Sequence, residues 1–483
     1  MAGIKGGDLP PWGAGLAVLA IVVLGLVFSG PGAAPEKEKA AAVAIPADSF
    51  PSTYEPLPSR TTVIRNATVL TGTGAQIDDA SVLMKDGKIA AVGADIEVPD
   101  DAVVIDGEGK FVTPGIIDAH SHLGVYPSPG AAAHSDGNEA IKPVTAEVWA
   151  EHSAWPQDPG FARAIAGGVT TLQLLPGSAN LIGGRSAIVR NVSSRTVQGM
   201  KFPGAGHGLK MACGENPKRV YGQKGGPSTR MGNVAGYRAA FSKAQAYKRK
   251  WEKYAADVEK GKEAEPPERD LQLDTLALAI DRKIWIHNHC YRADEMAIMI
   301  DVSKEFGYKI AAFHHASEAY KVADLLKAND ICAAMWADWW GFKLESYDGI
   351  PENIAMVDAA GACAMIHSDS EVGVQRLNQE VGKAMADGRR MGLDIPPARA
   401  VAWMTSNPAK ALGILDQTGT LEPGKRADVV VWSRDPFSVY AQAEQIYLDG
   451  ALVYDRDDGA LSPRTDFELG QVPGRTNTGG AGQ

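Results

Sequence analysis

The chain has 483 residues, of which 45% are hydrophobic and 22% charged, and its formal net charge is −10. That length exceeds one small domain but suits a barrel with flanking elements, and the composition is that of a globular protein with a sizeable core. An acidic surface repels phosphate backbones, which argues against nucleic acid as a partner.

From Leu9 to Ala34 there is no charge, and Trp12 to Phe28 is almost wholly apolar. The run is near the length that crosses a bilayer, so residues 1–34 read as a transmembrane anchor or a signal segment. The small residues Gly32-Ala33-Ala34 would suit a signal peptidase, but Pro35 hinders cleavage, which favours the anchor. Either way the body is expected to be exported: membrane-anchored outside the cytoplasm, or secreted if the segment is cleaved. Residues 35–59, rich in Pro, Ala, Ser and charge, read as a linker.

Residues 60–113 hold short alternating runs, TTVIRNATVL, SVLMKDGKIAAVG and AVVIDGEGKFV, broken by Asp86-Gly87 and Gly107. This pattern predicts a small antiparallel sheet. From 114 to 412 the rhythm is strand then helix, with eight apolar runs: GIIDAHSH, GVTTLQLL, SAIVR, GLKMAC, KIWIHNHC, KIAAFHH, ICAAMW and ACAMIHSD. Eight strands with intervening helices predict an α/β protein, a (β/α)8 TIM barrel. Residues 233–270 read as an inserted, solvated helix with a basic stripe. Strand patterns return in 413–460, so both flanks are expected to form one small β-sandwich. The tail, 461–483, reads as disordered.

Four cysteines, Cys213, Cys290, Cys332 and Cys363, lie in or beside apolar runs with no CxxC spacing, and are expected to be buried thiols. All ten histidines fall between His120 and His367, several at the carboxyl ends of the apolar runs, where a barrel builds its active site. In Asp118-Ala119-His120-Ser121-His122, strand alternation sends His120 and His122 to the same side, so two imidazoles can grip one ion. His287 and His289 are likewise alternate, whereas the adjacent His314 and His315 should face opposite ways. Lys210 lies inside a strand, facing the interior, and needs a reason to be there, since an unpaired buried ammonium is costly. The run Trp336-Ala337-Asp338-Trp339-Trp340 suits either an apolar substrate wall or ordinary packing.

VTPGIIDAHSHLG resembles the opening of the barrel in the amidohydrolase superfamily, and SNPAKALGI followed by GTLEPGKRADVVVW resembles its close. HCYRADEM and HHASEAYKVAD look like the imidazolonepropionase-like branch, so the resemblance runs from about residue 61 to 456. It implies metal ligands at His120, His122, His289, His315 and Asp369, with Lys210 as a carboxylated bridge or Glu215 in its place. Asp369 and His315 are the catalytic candidates, and Glu215, His287, Tyr291 and Arg292 the substrate-binding ones. The implied chemistry is metal-dependent hydrolysis of carbon–nitrogen bonds other than in large proteins. One or two divalent cations, zinc by preference, would acidify a water whose proton Asp369 accepts. Cyclic amides, acyl-amino acids and dipeptide-like compounds suit such a site. A deaminase-type mononuclear hydrolase, a dipeptidase or prolidase-like metallopeptidase, and a non-catalytic binding scaffold are the alternatives. The expected partners are a small-molecule substrate and the membrane, with a homo-oligomer left open.

Overall fold

The computed structural model describes residues 47–461, apart from residue 340. The first flank forms β1 (Thr62–Leu70), β2 (Gln76–Lys85), β3 (Lys88–Gly93), β4 (Val103–Asp106) and β5 (Phe111–Pro114). Asp86 and Gly87, at φ 51° and 76°, make the two-residue turn that returns β2 into β3. Both residues of a type I′ turn need positive φ, which is what Asp-Gly tolerates.

The central segment supplies β6 (Ile116–Ser121), β7 (Val169–Leu174), β8 (Ile182–Arg185), β9 (Ala187–Arg190), β10 (Gly208–Ala212), β11 (Trp285–Cys290), β12 (Ile310–His315), β13 (Cys332–Met335) and β14 (Cys363–Ile366). The second flank adds β15 (Val429–Trp432), β16 (Ala443–Leu448) and β17 (Ala451–Asp455).

Both flanks join one eight-stranded sheet, in the order β17-β16-β15-β5-β1-β2-β3 with β4 also on β1. It is mixed rather than purely antiparallel, because β1 pairs in parallel with β4 and β5. Ile64, Val82, Met84, Ile89, Val112, Val429, Val431 and Tyr447 close a common core across the two flanks.

Seven of the eight expected central strands pair in parallel with one another, β6 with β7 and β10 through β14 in series. The eighth, SAIVR, corrects the expectation. It is β9, antiparallel to β7, and it follows β8 with only Ser186 between them; β8 is antiparallel to β10. One bent ribbon thus joins the three-stranded sheet β6-β7-β9 to the six-stranded sheet β14-β13-β12-β11-β10-β8. At the far edges the Asp369 N–H donates to the His120 carbonyl at 3.0 Å. The Asp118 carboxylate also accepts from both the Ser368 N–H and the Ser368 hydroxyl. The tip of β14 is therefore stapled to β6.

Helices follow the strands: α1 (Pro159–Ala166), α2 (Glu215–Tyr221), α3 (Arg230–Glu259), α4 (Leu271–Ile280) and α5 (Ala293–Phe306) come first. Asp158 caps α1 by accepting from Gly160 N–H, with Pro159 in the first turn, and also accepts from Gly124 and Ser128 N–H in the loop after β6. The inserted helix α3 is not merely solvated. Tyr237, Phe241 and Tyr247 bury one face, while the Asn233 amide and the Tyr237 hydroxyl bond carbonyls of Gly214 and Ala212 at the end of β10.

The cysteines are paired rather than free: Cys213–Cys290 and Cys332–Cys363 are disulfides, with Cα separations of 5.3 and 4.4 Å. Cys332 and Cys363 are direct register partners on neighbouring strands, a coincidence that two positions 31 apart in the chain do not advertise. The stretch read as linker is docked from residue 47 onward. Asp48 pairs with the buried Lys201 at 2.8 Å, and the Tyr54 hydroxyl donates to Asp449 at 2.6 Å.

The expected transmembrane helix is corrected as well, because no helix among the described residues is long and apolar enough to cross a membrane. The run from Leu9 to Ala34 that prompted it, the first part of the linker, Trp340 and residues 462–483 of the tail lie outside the described residues.

Candidate metal centre

Alternation along β6 does place His120 and His122 on one side, with their Nε2 atoms 3.3 Å apart. Asp369, three residues past β14, brings its carboxylate to 3.5 Å from His120 Nε2 and 3.2 Å from His122 Nε2. The ligand atoms of these three residues all lie within 4.8 Å of one another. His122 Nδ1 bonds the Leu175 carbonyl at 2.8 Å, which leaves its Nε2 facing the cluster.

His289 and His315 face each other with ring centroids 4.5 Å apart, and His315 Nδ1 is 3.9 Å from Asp369. His315 is itself stacked between Tyr291 and Trp336, at 5.0 and 4.5 Å. Its neighbour His314 does not face the outer helices, contrary to strand alternation. Its ring nitrogens bond His120 Nδ1 at 2.9 Å and His287 Nδ1 at 3.0 Å inside the same cavity. The reason is local: His315 and Ala316 take φ of 72° and 36°, left-handed values that twist the strand end and turn the second ring inward as well. Asp369 also sits at positive φ, 47°. Such conformations each cost on the order of 1–3 kcal/mol and concentrate at functional sites.

His287 is buried, with its Nδ1 bonded to His314 Nε2 at 3.0 Å. The Arg292 guanidinium is held in a two-point pair by Asp294, at 2.9 Å, on the exposed side. Tyr291 is buried at the mouth. Glu215 opens α2, 3.9 Å from Lys343, and it is the adjacent Asn216 that reaches His289, at 3.4 Å. Lys210 is fully buried, and its ammonium donates to the Pro176 carbonyl at 2.9 Å.

Sequence reasoning gave no role to His314, His367 or the Asp118–Ser368 staple. The only hint was their position within the DAHSH, FHH and IHSD runs.

Burial, reinforced by the positive charge of Lys210, holds His120 and His314 well below the ordinary imidazole value, and His287 and His367 down to about 3. These rings are therefore neutral, with lone pairs available as ligands. Burial alone would raise the Asp369 carboxyl, but its bond to His122 and the nearby His367 and Lys210 hold it below the usual carboxylate value. Lys210 is pushed down to about 8 by burial. Buried ring nitrogens of His289, His315 and His367 lack any hydrogen-bond partner. Neutral rings with unspent lone pairs around an ionised carboxylate are the donor set a divalent cation requires, so the residues fit one.

Residues 111–461 match the model of the amidohydrolase family. The chain is 35% identical over 429 residues to amidohydrolase tasK of Hapsidospora irregularis, covering 82% of this chain and 43% of that protein. It thus spans less than half the length of that curated relative. It is 27% identical over 446 residues to imidazolonepropionase of Brucella anthropi, covering 82% of this chain and 97% of that one. Its structure resembles the crystal structure of an amidohydrolase from Thermotoga maritima MSB8, with a TM-score of 0.74 and 37% identity over 82% of this chain and 100% of that chain. The likeness implies a TIM-barrel-type fold.

Proposed function

The chain belongs to the amidohydrolase family, and from that premise we propose that it hydrolyses a carbon–nitrogen bond of a small molecule at the cluster His120, His122, His289, His315 and Asp369. The observation that carries the reading is the convergence of His120, His122 and Asp369 within 4.8 Å, from the first and last parallel strands. On this reading the fold is a (β/α)8 barrel whose third stave is the bent ribbon β8–β9, with the flanking sheet as its companion domain.

Those five residues would hold one or two divalent cations, zinc being the ion that suits imidazole and carboxylate donors. When bound, such an ion polarises a carbonyl and acidifies water. The remaining work belongs to the chain. Asp369, kept ionised, accepts the proton of the attacking water on its carboxylate and passes it to the leaving nitrogen. His314 bonds the Nδ1 of His120 and holds its Nε2 towards Asp369. Tyr291 and Trp336 clamp His315 in one orientation.

Lys210 supports the two-ion form. A lysine with its ammonium among neutral imidazoles and no carboxylate at hydrogen-bond distance is disfavoured unless modified, and a carbamate there would bridge two cations. The suited substrates are cyclic amides, acyl-amino acids and dipeptide-like compounds. The test measures metal content and amide hydrolysis for wild type, chelated protein and Lys210→Ala. Chelation should abolish turnover and zinc restore it, and Lys210→Ala should lower bound metal from about two ions per chain toward one. Unchanged turnover in metal-free protein would overturn the hydrolase reading, and one ion in both proteins would overturn the bridge.

A further inference from the structure

Directly above Asp369 lies a cavity of about 410 Å³ lined by Tyr291, Trp336, Asp338, Trp339 and Phe342, with Asp369 on its wall. That volume is in the range of small-molecule sites. Trp339 stacks on Trp336 with centroids 5.0 Å apart, and Phe342 meets Trp336 and Tyr291 edge-on at 6.0 and 6.1 Å. Trp336 is fixed from below, its indole N–H donating to the Ser368 carbonyl at 3.1 Å. The outer rings stay open to solvent: Trp339 is 44% and Phe342 57% exposed, and Leu344 and Tyr347 nearby are more exposed still.

Charged groups on the rim are already committed. Asp338 accepts from Lys383 at 2.9 Å, and Lys343 lies over the Tyr291 ring while bonding Glu345 at 2.9 Å. Glu345 also accepts from the Glu215 N–H and from Arg230, so the loop carrying Phe342 is tied to the starts of α2 and α3. What remains unspent on this surface is aromatic area, rigidly presented beside the candidate base. Exposed rings clustered in this way mark binding surface more often than chance exposure.

We propose that this cavity is the specificity pocket, and that it takes an aromatic or branched aliphatic side chain on the carbon next to the scissile carbon–nitrogen bond. The inference rests on the hydrolase reading only in that Asp369 marks where that bond lies. Tyr291 and Trp336 form the buried wall of the pocket, and Trp339 and Phe342 its solvent-exposed rim.

The test separates the pocket from the chemistry. Equilibrium binding of N-acetyl-L-phenylalanine, N-acetyl-L-leucine, N-acetyl-L-alanine and N-acetyl-L-glutamate to full-length Asp369→Asn protein, loaded with zinc, is followed by calorimetry. The phenylalanine and leucine compounds should bind about 10- to 200-fold more tightly than the alanine compound, the range a hydrophobic pocket achieves. The glutamate compound should bind no better than the alanine one. Phe342→Ala and Trp339→Ala on that background should pull the phenylalanine-to-alanine ratio toward one, and Phe342→Leu should keep part of it. Because Phe342 is exposed, its truncation leaves the core intact, which circular dichroism checks. Equal binding of all four compounds, a preference for glutamate, or no binding at all would overturn the pocket. If the preference holds while wild-type protein hydrolyses none of the four, the pocket stands and the hydrolysis of acyl-amino acids falls.

Discussion

Asp369 and His315 both occupy left-handed backbone, and both belong to the cluster that the proposed chemistry uses. The Asp369 carboxylate lies within 3.5 Å of two imidazoles, and against burial its bond to His122 and the nearby His367 and Lys210 hold it below the usual carboxylate value. An amide of the same shape keeps the contacts but cannot accept a proton. Asp369→Asn is therefore expected to lower kcat by about a hundredfold to ten-thousandfold, the usual loss for a general base. Far-ultraviolet circular dichroism and the melting temperature should be unchanged. Steady-state kinetics on any hydrolysed amide checks this, and near-normal turnover would move the base to another group. Asp118, although beside His120, serves differently: burial pushes its carboxyl up to about 6, and all its bonds go to Ser368 and the His120 N–H. It is a seam between the first and last parallel strands.

Among the elements, the bent ribbon β8–β9 and the strand β15 are held together by one buried group of charges. Arg190 on β9 donates to Asp428, at 2.7 Å to Oδ2, and lies 3.3 Å from Asp449. Thr418 and the Asp449 N–H also donate to Asp428. The aspartate of the GKRADVVVW motif is thus a bolt between the flanking sheet and the bent ribbon. Asp428→Asn leaves the buried Arg190 with Asp449 alone, so it is expected to destabilise, by up to about 3–5 kcal/mol. The double change Arg190→Met with Asp428→Leu should cost less than that, because no charge is left unpaired. Denaturant titration of the three proteins decides it, and a single mutant as stable as wild type would remove the bolt. Burial alone would raise the Asp428 carboxyl, but Arg190 outweighs it and holds it below the ordinary value. Its contribution is therefore complete above the unfolded value of about 3.9 and lost as the pH falls through the depressed folded value.

On the scale of the whole molecule, covalent links add to the strand pairing. Cys332–Cys363 joins β13 to β14 across 31 residues, and Cys213–Cys290 joins the end of β10 to the end of β11 across 77. In the chain-entropy account, a loop of that shorter length is worth about 3–4 kcal/mol. Replacing Cys332 and Cys363 together by Ala should lower unfolding free energy by a comparable amount while leaving metal content unchanged, since both positions lie at the starts of their strands, away from the Asp369 end. Chemical denaturation of oxidised wild type and the double variant, with metal analysis of each, checks this. Equal stabilities would make the link incidental.

What the chain order alone determined is whatever depends on near neighbours. The period of two along DAHSH aligned His120 with His122, Asp86-Gly87 announced its turn, and the strand–helix rhythm announced the parallel strands. Asp369 was legible only through the resemblance, which implies an aspartate at the tip of the last strand; by itself it reads equally as a helix cap. The rest depended on contacts that no local pattern encodes. His314 lies 194 residues from the ring it supports, and His315 joins it in the cavity only because its own left-handed backbone overrides alternation. SAIVR reads as one more strand, and only its pairing with β7 makes it antiparallel. The disulfides required two strands to be in register, and the aromatic rim required a loop pinned by Glu345 to helices over 100 residues earlier. Local chemistry chose the elements, whereas burial and long-range packing decided which side chains met.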